Sequence, residues 1–351
     1  MEIKGVKWKH ARAPRRLLAI RMQAMGDLVI TLPYLQQLRN MLPPGTKLDL
    51  LTRKEVDAIP KSMILFDQVY SIGGGRDLKR QLLSTAGLMP RLFMKRYEVV
   101  IDLQNNIISR SVTKCLFPDA WSLFDRFSPV AAGERTEKTI EAIGLGNCPA
   151  ETNFKLIHEA EAMQILFENG WRKGNKLVIL NPAGAFETRN WDINNYVQFA
   201  GLWLKSFPDT RFVVMGTDLI EAKSAYLQKQ LGSHCINLVN KTRPEQAFAI
   251  MQKVQFVLSE DSGLMHMAWV SGVPTMALFG STGSQKARPL GGHTAFVDSA
   301  DLECGGCMLE KCKYADTRCL SRYTPELIFK KSIALLESQQ ISGVRIMKQG
   351  H

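Results

Sequence analysis

The chain has 351 residues, of which 45% are hydrophobic and 22% charged, and its formal net charge is +12. That length exceeds what one hydrophobic core usually organises, so two domains are expected, and the composition is ordinary for a soluble globular protein. No apolar run reaches the roughly 18 to 20 residues of a membrane span, and Arg21 and Asp27 interrupt LLAIRMQAMGD after the basic N-terminus, so a cytoplasmic protein without a secretory leader is expected.

In chain order, LLAIRM (17–22), KLDLLT (47–52), QVYSI (68–72) and YEVVIDL (97–103) read as short buried strands. Helical or irregular segments separate them, and residues 73–96 and 104–135 read as loops and helices above the sheet. The second half repeats the scheme with KLVILN (176–181), RFVVMG (211–216), CINLV, VQFVLS (254–259) and VPTMALFG (273–280), about five strands. Alternation of this kind predicts parallel, doubly wound α/β sheets. The break falls in the turn-rich NCPAETN region, which gives a first domain over 1–150 and a second over 151–351. Ligands of such sheets sit beyond the carboxyl ends of the strands, and a cleft between two such domains is the expected site. Neither GxGxxG nor GxxxxGK[ST] occurs, which removes the main support for a dinucleotide or P-loop reading.

Charge is uneven along the chain. Residues 1–150 hold 23 Lys and Arg against 14 Asp and Glu, whereas residues 151–351 hold 22 against 19. An anionic partner for the first half, or simply a solvated basic surface, fits that asymmetry. Trp8 among Lys7, Lys9 and His10 adds a faint interfacial pattern.

Four strand-end loops carry polar residues. In VQFVLSEDSGLMHMAW, Ser262 suits an N-cap for a helix starting at Gly263, with Leu264, Met267, Ala268 and Ser271 as its inward stripe. Asp261 and Ser262 then stand at the positive end of a helix dipole, a mouth that suits a diphosphate, with His266 one turn on. A plain helix cap and a core histidine explain the same spacing equally well. In QAMGDLVIT, Gly26 permits close backbone approach, and Asp27 serves as a helix cap or as a general base. In NPAGAFETRNW, Ala183 and Gly184 leave amides open and Arg189 offers a planar cation to a diphosphate, or is a surface arginine. In MGTDLIE, Asp218 or Glu221 suits ribose hydroxyls or an acidic first helical turn.

GDLVITLPYLQQLR, DLQNNIISR, NPAGAFETRNW and EDSGLMHMAWVSGVPTMALFGSTG occur in the order and approximate spacing of glycosyltransferase family 9, the ADP-heptose:lipopolysaccharide heptosyltransferases, which the chain resembles over about residues 16–330. The resemblance implies a GT-B architecture of two Rossmann-like domains facing across a cleft, with the acceptor in the first and the nucleotide-sugar donor in the second. It implies metal-independent transfer with inversion at the anomeric carbon. Asp27 matches the proposed base; Asp261, Ser262, Gly263 and His266 match the donor diphosphate loop. Arg189 stands where the family usually has Lys. Gln104 and Arg110, with Gly26, match the acceptor side loosely, and Glu221 is a weak match to the nucleoside contact. The implied partners are an ADP-sugar donor, an anionic glycolipid acceptor and the cytoplasmic face of the inner membrane as a peripheral contact, with no nucleic acid. A family 9 enzyme with another donor, or a non-enzymatic basic zinc-knuckle binder, are the alternatives.

Cys304, Cys307, Cys312 and Cys319 give C-x2-C-x4-C-x6-C, a spacing that favours a structural zinc site of four thiolates over disulfides in a cytoplasmic protein, with free thiols as the alternative. Cys115, Cys148 and Cys235 are scattered and read as small apolar residues or bystanders.

Overall fold

The computed structural model describes residues 3–341. Met1, Glu2 and residues 342–351, the outer ends of the two expected domains, lie outside the described residues. The chain divides into two compact units, Met1–Ile157 and His158–His351. Residues 151–157 stay with the first unit rather than opening the second. Backbone bonds hold them there: Glu151 N donates to Pro33 O, Ile64 N to Lys155 O, and Ile157 N to Ser62 O.

The first unit has strands β1 (Lys4–Val6), β2 (Arg16–Ile20), β3 (Lys47–Arg53), β4 (Gln68–Ile72), β5 (Val99–Asp102) and β6 (Ala120–Leu123). Their order is β1-β6-β5-β2-β3-β4, parallel except for β1, which runs antiparallel on β6. The second unit has β7 (Lys176–Asn181), β8 (Thr210–Val214), β9 (Cys235–Asn237), β10 (Phe256–Glu260), β11 (Thr275–Leu278) and β12 (Thr294–Val297), in the order β12-β11-β10-β7-β8-β9 and all parallel. Read from one edge, each unit places its first long strand beside its fourth, which is the Rossmann-like switch point. That point lies between β2 and β5 in the first unit and between β7 and β10 in the second.

Central strands are buried on both faces, as helices on each side of a parallel sheet require; β5, β10 and β11 are buried at every residue. Leu18, Ile20, Val100 and Ile108 belong to the first core, and Phe199, Trp203, Phe212 and Phe256 to the second. Three strands were not expected from sequence. β1, β6 and β12 are only three or four residues long and partly exposed, so they lack the apolar run that marks a central strand. β6 lies inside the stretch expected to be loops and helices, and β12 makes the second sheet six-stranded rather than about five. Among the described residues, no helix is long and apolar enough to cross a membrane.

Candidate functional site

In the second unit, the chain leaving β7 and the chain leaving β10 meet at the switch point. Ser262 caps the helix Gly263–Val270, and its Oγ accepts from Met265 N. Asn181, the last residue of β7, donates through Nδ2 to Ser259 Oγ and Ser262 Oγ, each at 2.7 Å, so the cap is tied to the neighbouring strand. Free N–H groups at this mouth carry the positive end of the helix dipole. The expected inward stripe is too narrow. Met265 to Val270 are all buried while Leu264 and Ser271 are only partly so, because the sheet and the helix Pro244–Met251 cover this short helix on several sides.

Loop 182–191 folds over that mouth. Gly184 is required there, since a Cβ would collide with the carbonyl of Arg189, and Gly280 likewise makes room for the carbonyl of Thr188. The loop thereby presents Arg189 3.6 Å from Asp261 Oδ2, with its guanidinium 4.6 Å from the Phe186 ring centre. Arg189 Nε is buried and has no partner among the described residues. The Asp261 carboxylate thus lies against the Arg189 guanidinium as an ion pair at the mouth. Ala183 is partly buried in the same loop.

Glu260, the last residue of β10, is the support that sequence reasoning missed. It is fully buried, and its Oε2 accepts from Gly184 N and its Oε1 from Trp191 N, both at 2.6 Å. Those two amides bracket the loop. Lys223, from the helix Glu221–Leu231, grips the same segment by donating to Pro182 O at 2.8 Å and to Asn190 Oδ1. Burial pushes the Glu260 carboxyl up to about 7, against the opposing pull of Lys223 and the two amides. Burial also lowers the Lys223 pKa, and Glu260 opposes that shift. An acid closing an otherwise apolar strand was the available signal; the lysine had none.

Two donor-side expectations sit differently. His266 is buried, and Trp269 Nε1 donates to its Nδ1 at 3.1 Å, so at least one ring nitrogen is occupied within the helix itself. Glu221 is exposed at the start of its helix, two residues from Lys223.

In the first unit, Gly26 and Asp27 fall inside the first turn of the helix Met25–Met41. Asp27 does cap it, accepting from Ala24 N at 3.0 Å, and the same Oδ2 pairs with Arg21 at 3.0 Å. Arg21 is buried, donates to Leu103 O and stands 5.0 Å over the Phe124 ring. Arg135, also buried, stands 4.9 Å from that ring, and the Nε atoms of both arginines lack partners among the described residues. Burial lowers both guanidinium pKa values, with Asp27 opposing the shift at each. Arg21 and Arg135 were not singled out from the sequence, which gives no sign that residues so far apart share one ring. Gln104 is buried, and its Oε1 accepts from Met22 N and Gln23 N, so it shapes the turn after β2. Arg110 is exposed and donates to Asn105 Oδ1 at 2.6 Å.

The four clustered cysteines line one small cavity together with Thr188, Ser281, Lys313 and Arg318. Cys319 Sγ approaches Thr188 O at 3.8 Å, and Cys312 Sγ approaches Asp316 Oδ1 at the same distance. Among the described residues, no three His, Cys, Asp or Glu side chains are arranged to hold a metal ion. The thiols thus share a cavity without forming a closed ligand set. Cys148 and Cys235 are buried, and burial pushes each thiol up to about 12, whereas Cys115 is exposed.

The sequence model of glycosyltransferase family 9 (heptosyltransferase) matches residues 140–317, half of the chain. The chain belongs to this family. Among family relatives, lipooligosaccharide heptosyltransferase 2 of Campylobacter jejuni is 26% identical over 48% of this chain and 54% of its own length. The chain therefore spans about half the length of the curated relatives that it matches first. The crystal structure of the glycosyl transferase family 9 from Veillonella parvula superposes with a TM-score of 0.77 at 17% identity, over 92% of this chain and 97% of that one. The E. coli heptosyltransferase WaaC with ADP-2-deoxy-2-fluoro heptose gives 0.66 at 19% identity, over 91% and 99%. These structures agree with the α/β, GT-B fold class of two Rossmann-like domains. Arg189, Asp261, Ser262, Gly263 and His266 lie inside the span matched by the family, whereas Asp27, Gln104 and Arg110 lie before it.

Proposed function

We propose that the chain is an inverting glycosyltransferase that moves heptose from ADP-heptose onto a lipopolysaccharide-core or related glycolipid acceptor, in contact with the membrane that carries that acceptor. The observation that carries this reading is the mouth at Ser262, where helix amides, Arg189 and a glycine-tight loop converge at the switch point of the second unit. Charge on the leaving diphosphate is met there by Arg189 and the helix amides, so the chemistry of departure rests on side chains and backbone. Asp27 accepts the proton of the attacking hydroxyl: among the described residues its bonds fall on Oδ2, which leaves Oδ1 for the substrate. Arg21 and Arg135 supply positive charge beside it for an anionic acceptor. The family relative that acts on lipooligosaccharide, and the neighbour solved with an ADP-heptose analogue, support the choice of substrates. Incubation with ADP-heptose and a heptose-deficient core acceptor tests the reading, with acceptor mass and ADP release as the readouts.

The cysteine spacing supports a structural metal site, which requires the four thiols to draw together around the ion. Metal analysis of protein purified without added metal is expected to give one zinc per chain. Metal-free protein with four titratable thiols in this segment rejects the site.

A further inference from the structure

The helix Leu78–Met94 is apolar on its outer face as well as on its inner one. Its inward contacts come from Thr85, Leu88, Met89 and Leu92, while Leu82, Leu83, Phe93 and Met94 face water. Leu83 and Met94 are each 74% exposed and Phe93 57%. At about 100° per residue, Leu82, Phe93, Ala86, Pro90, Leu83 and Met94 share an arc of roughly 120°, so they form one apolar face. Arg80 and Arg91 fall beyond one edge of that arc, Lys79 falls within it at the N-terminal end, and Lys95 and Arg96 follow the helix. Lys79, Arg80, Arg91, Lys95 and Arg96 lie between Leu78 and Arg96, and no Asp or Glu does. Arg80 pairs with Asp77 at 3.6 Å and Arg91 lies over Tyr70, and residues 77–96 hold five Lys and Arg against that one acid.

We infer that this helix is the surface by which the chain lies on a bilayer containing anionic lipid. Leucine, phenylalanine and methionine side chains enter the headgroup boundary, and the long Lys and Arg stems carry their charges up to the phosphates. Other occupants fit less well. A second copy in a two-fold dimer would press five cations against the same five, with only Asp77 of each copy to pair them. A nucleic acid would meet the charges but leave the apolar face uncovered. Trp8, the residue whose neighbourhood gave the interfacial pattern in the sequence, is instead folded against its own chain: its Nε1 donates to Arg12 O and Arg12 lies 5.4 Å over its ring. The membrane surface is thus assigned to residues 78–96.

The inference extends the proposed membrane contact, but its test uses neither donor nor acceptor and so fails separately from the transferase reading. The full chain is floated with phosphatidylglycerol–phosphatidylcholine vesicles and with phosphatidylcholine vesicles, at low and high salt. Wild type is expected to bind the anionic vesicles at least tenfold more tightly, and less so at high salt. The double variant Leu83→Ser, Met94→Ser is expected to lose at least tenfold of that binding. The triple variant Lys79→Gln, Arg80→Gln, Arg91→Gln is expected to lose about a hundredfold, at roughly fivefold per cation. Unchanged melting temperatures confirm that both variants fold. Equal flotation of wild type and folded variants, or no flotation of wild type, overturns the inference. So does a wild-type dimer in light scattering that Leu83→Ser, Met94→Ser dissolves, since the face then joins two copies of the chain.

Discussion

Asp27→Asn is expected to lower the transfer rate by about 10²- to 10⁴-fold, the range that a positioned general base contributes. The substitution is chosen to spare the fold. An asparagine oxygen still accepts from Ala24 N, so the helix Met25–Met41 keeps its cap. Arg21 loses its ionic partner but retains Leu103 O and the face of Phe124. Donor affinity is expected to survive, because the donor loop belongs to the second unit. Thermal shift with ADP reads that affinity through the stabilisation of the folded state by its ligand. Near wild-type turnover in a folded Asp27→Asn variant rules out Asp27 as the base. Loss of ADP binding together with turnover instead assigns it a structural role.

Glu260→Gln is expected to weaken ADP binding at pH 8 by about tenfold, and by up to a hundredfold. Ionised Glu260 accepts an amide on each oxygen, whereas glutamine turns an NH2 toward one of them and leaves that buried amide unpaired, at about 1–3 kcal/mol. It also leaves the half-buried Lys223 without its carboxylate. A pH dependence follows for wild type. Protonation places a hydrogen on an oxygen that already receives an N–H, so the loop loosens as pH falls through about 7, and ADP affinity falls with it. The variant should show no such dependence. Stability moves the opposite way. Folding raises this pKa from 4.5 to about 7, so the stabilisation from binding the proton is complete below 4.5 and is lost as pH rises through about 7. Calorimetry with ADP between pH 6 and 8, paired with hydrogen exchange at Gly184 and Trp191, separates the two effects. Unchanged exchange and unchanged ADP affinity in the variant contradict the clamp.

The legibility of this chain follows its burial. β2, β3, β5, β7, β8, β10 and β11 could be read because strands covered on both faces become short apolar runs between turns, and the half-buried edge strands β4 and β9 kept enough apolar residues to be read with them. The Ser262 cap could be read because its hydrogen bond is local, from a residue three positions on. Glu260 could not be, because its role depends on a loop about seventy residues earlier folding onto it; without that loop an acid at a strand end looks like a helix cap. The stacking of Arg21 and Arg135 on Phe124 is equally non-local. His266 had two readings from the sequence. Its spacing from Ser262 fitted a ligand contact and a core histidine equally, and the structure adds that it is buried and accepts from Trp269 Nε1.

The central claim is that this chain transfers heptose from ADP-heptose, and the transfer assay meets it directly. Purified protein, ADP-heptose and a heptose-deficient core acceptor are incubated together, and the acceptor is weighed by mass spectrometry. The account predicts a gain of one heptose per acceptor, with ADP released in equal amount and the product linkage inverted relative to the donor. An acceptor of unchanged mass, while a known heptosyltransferase modifies the same preparation, contradicts it.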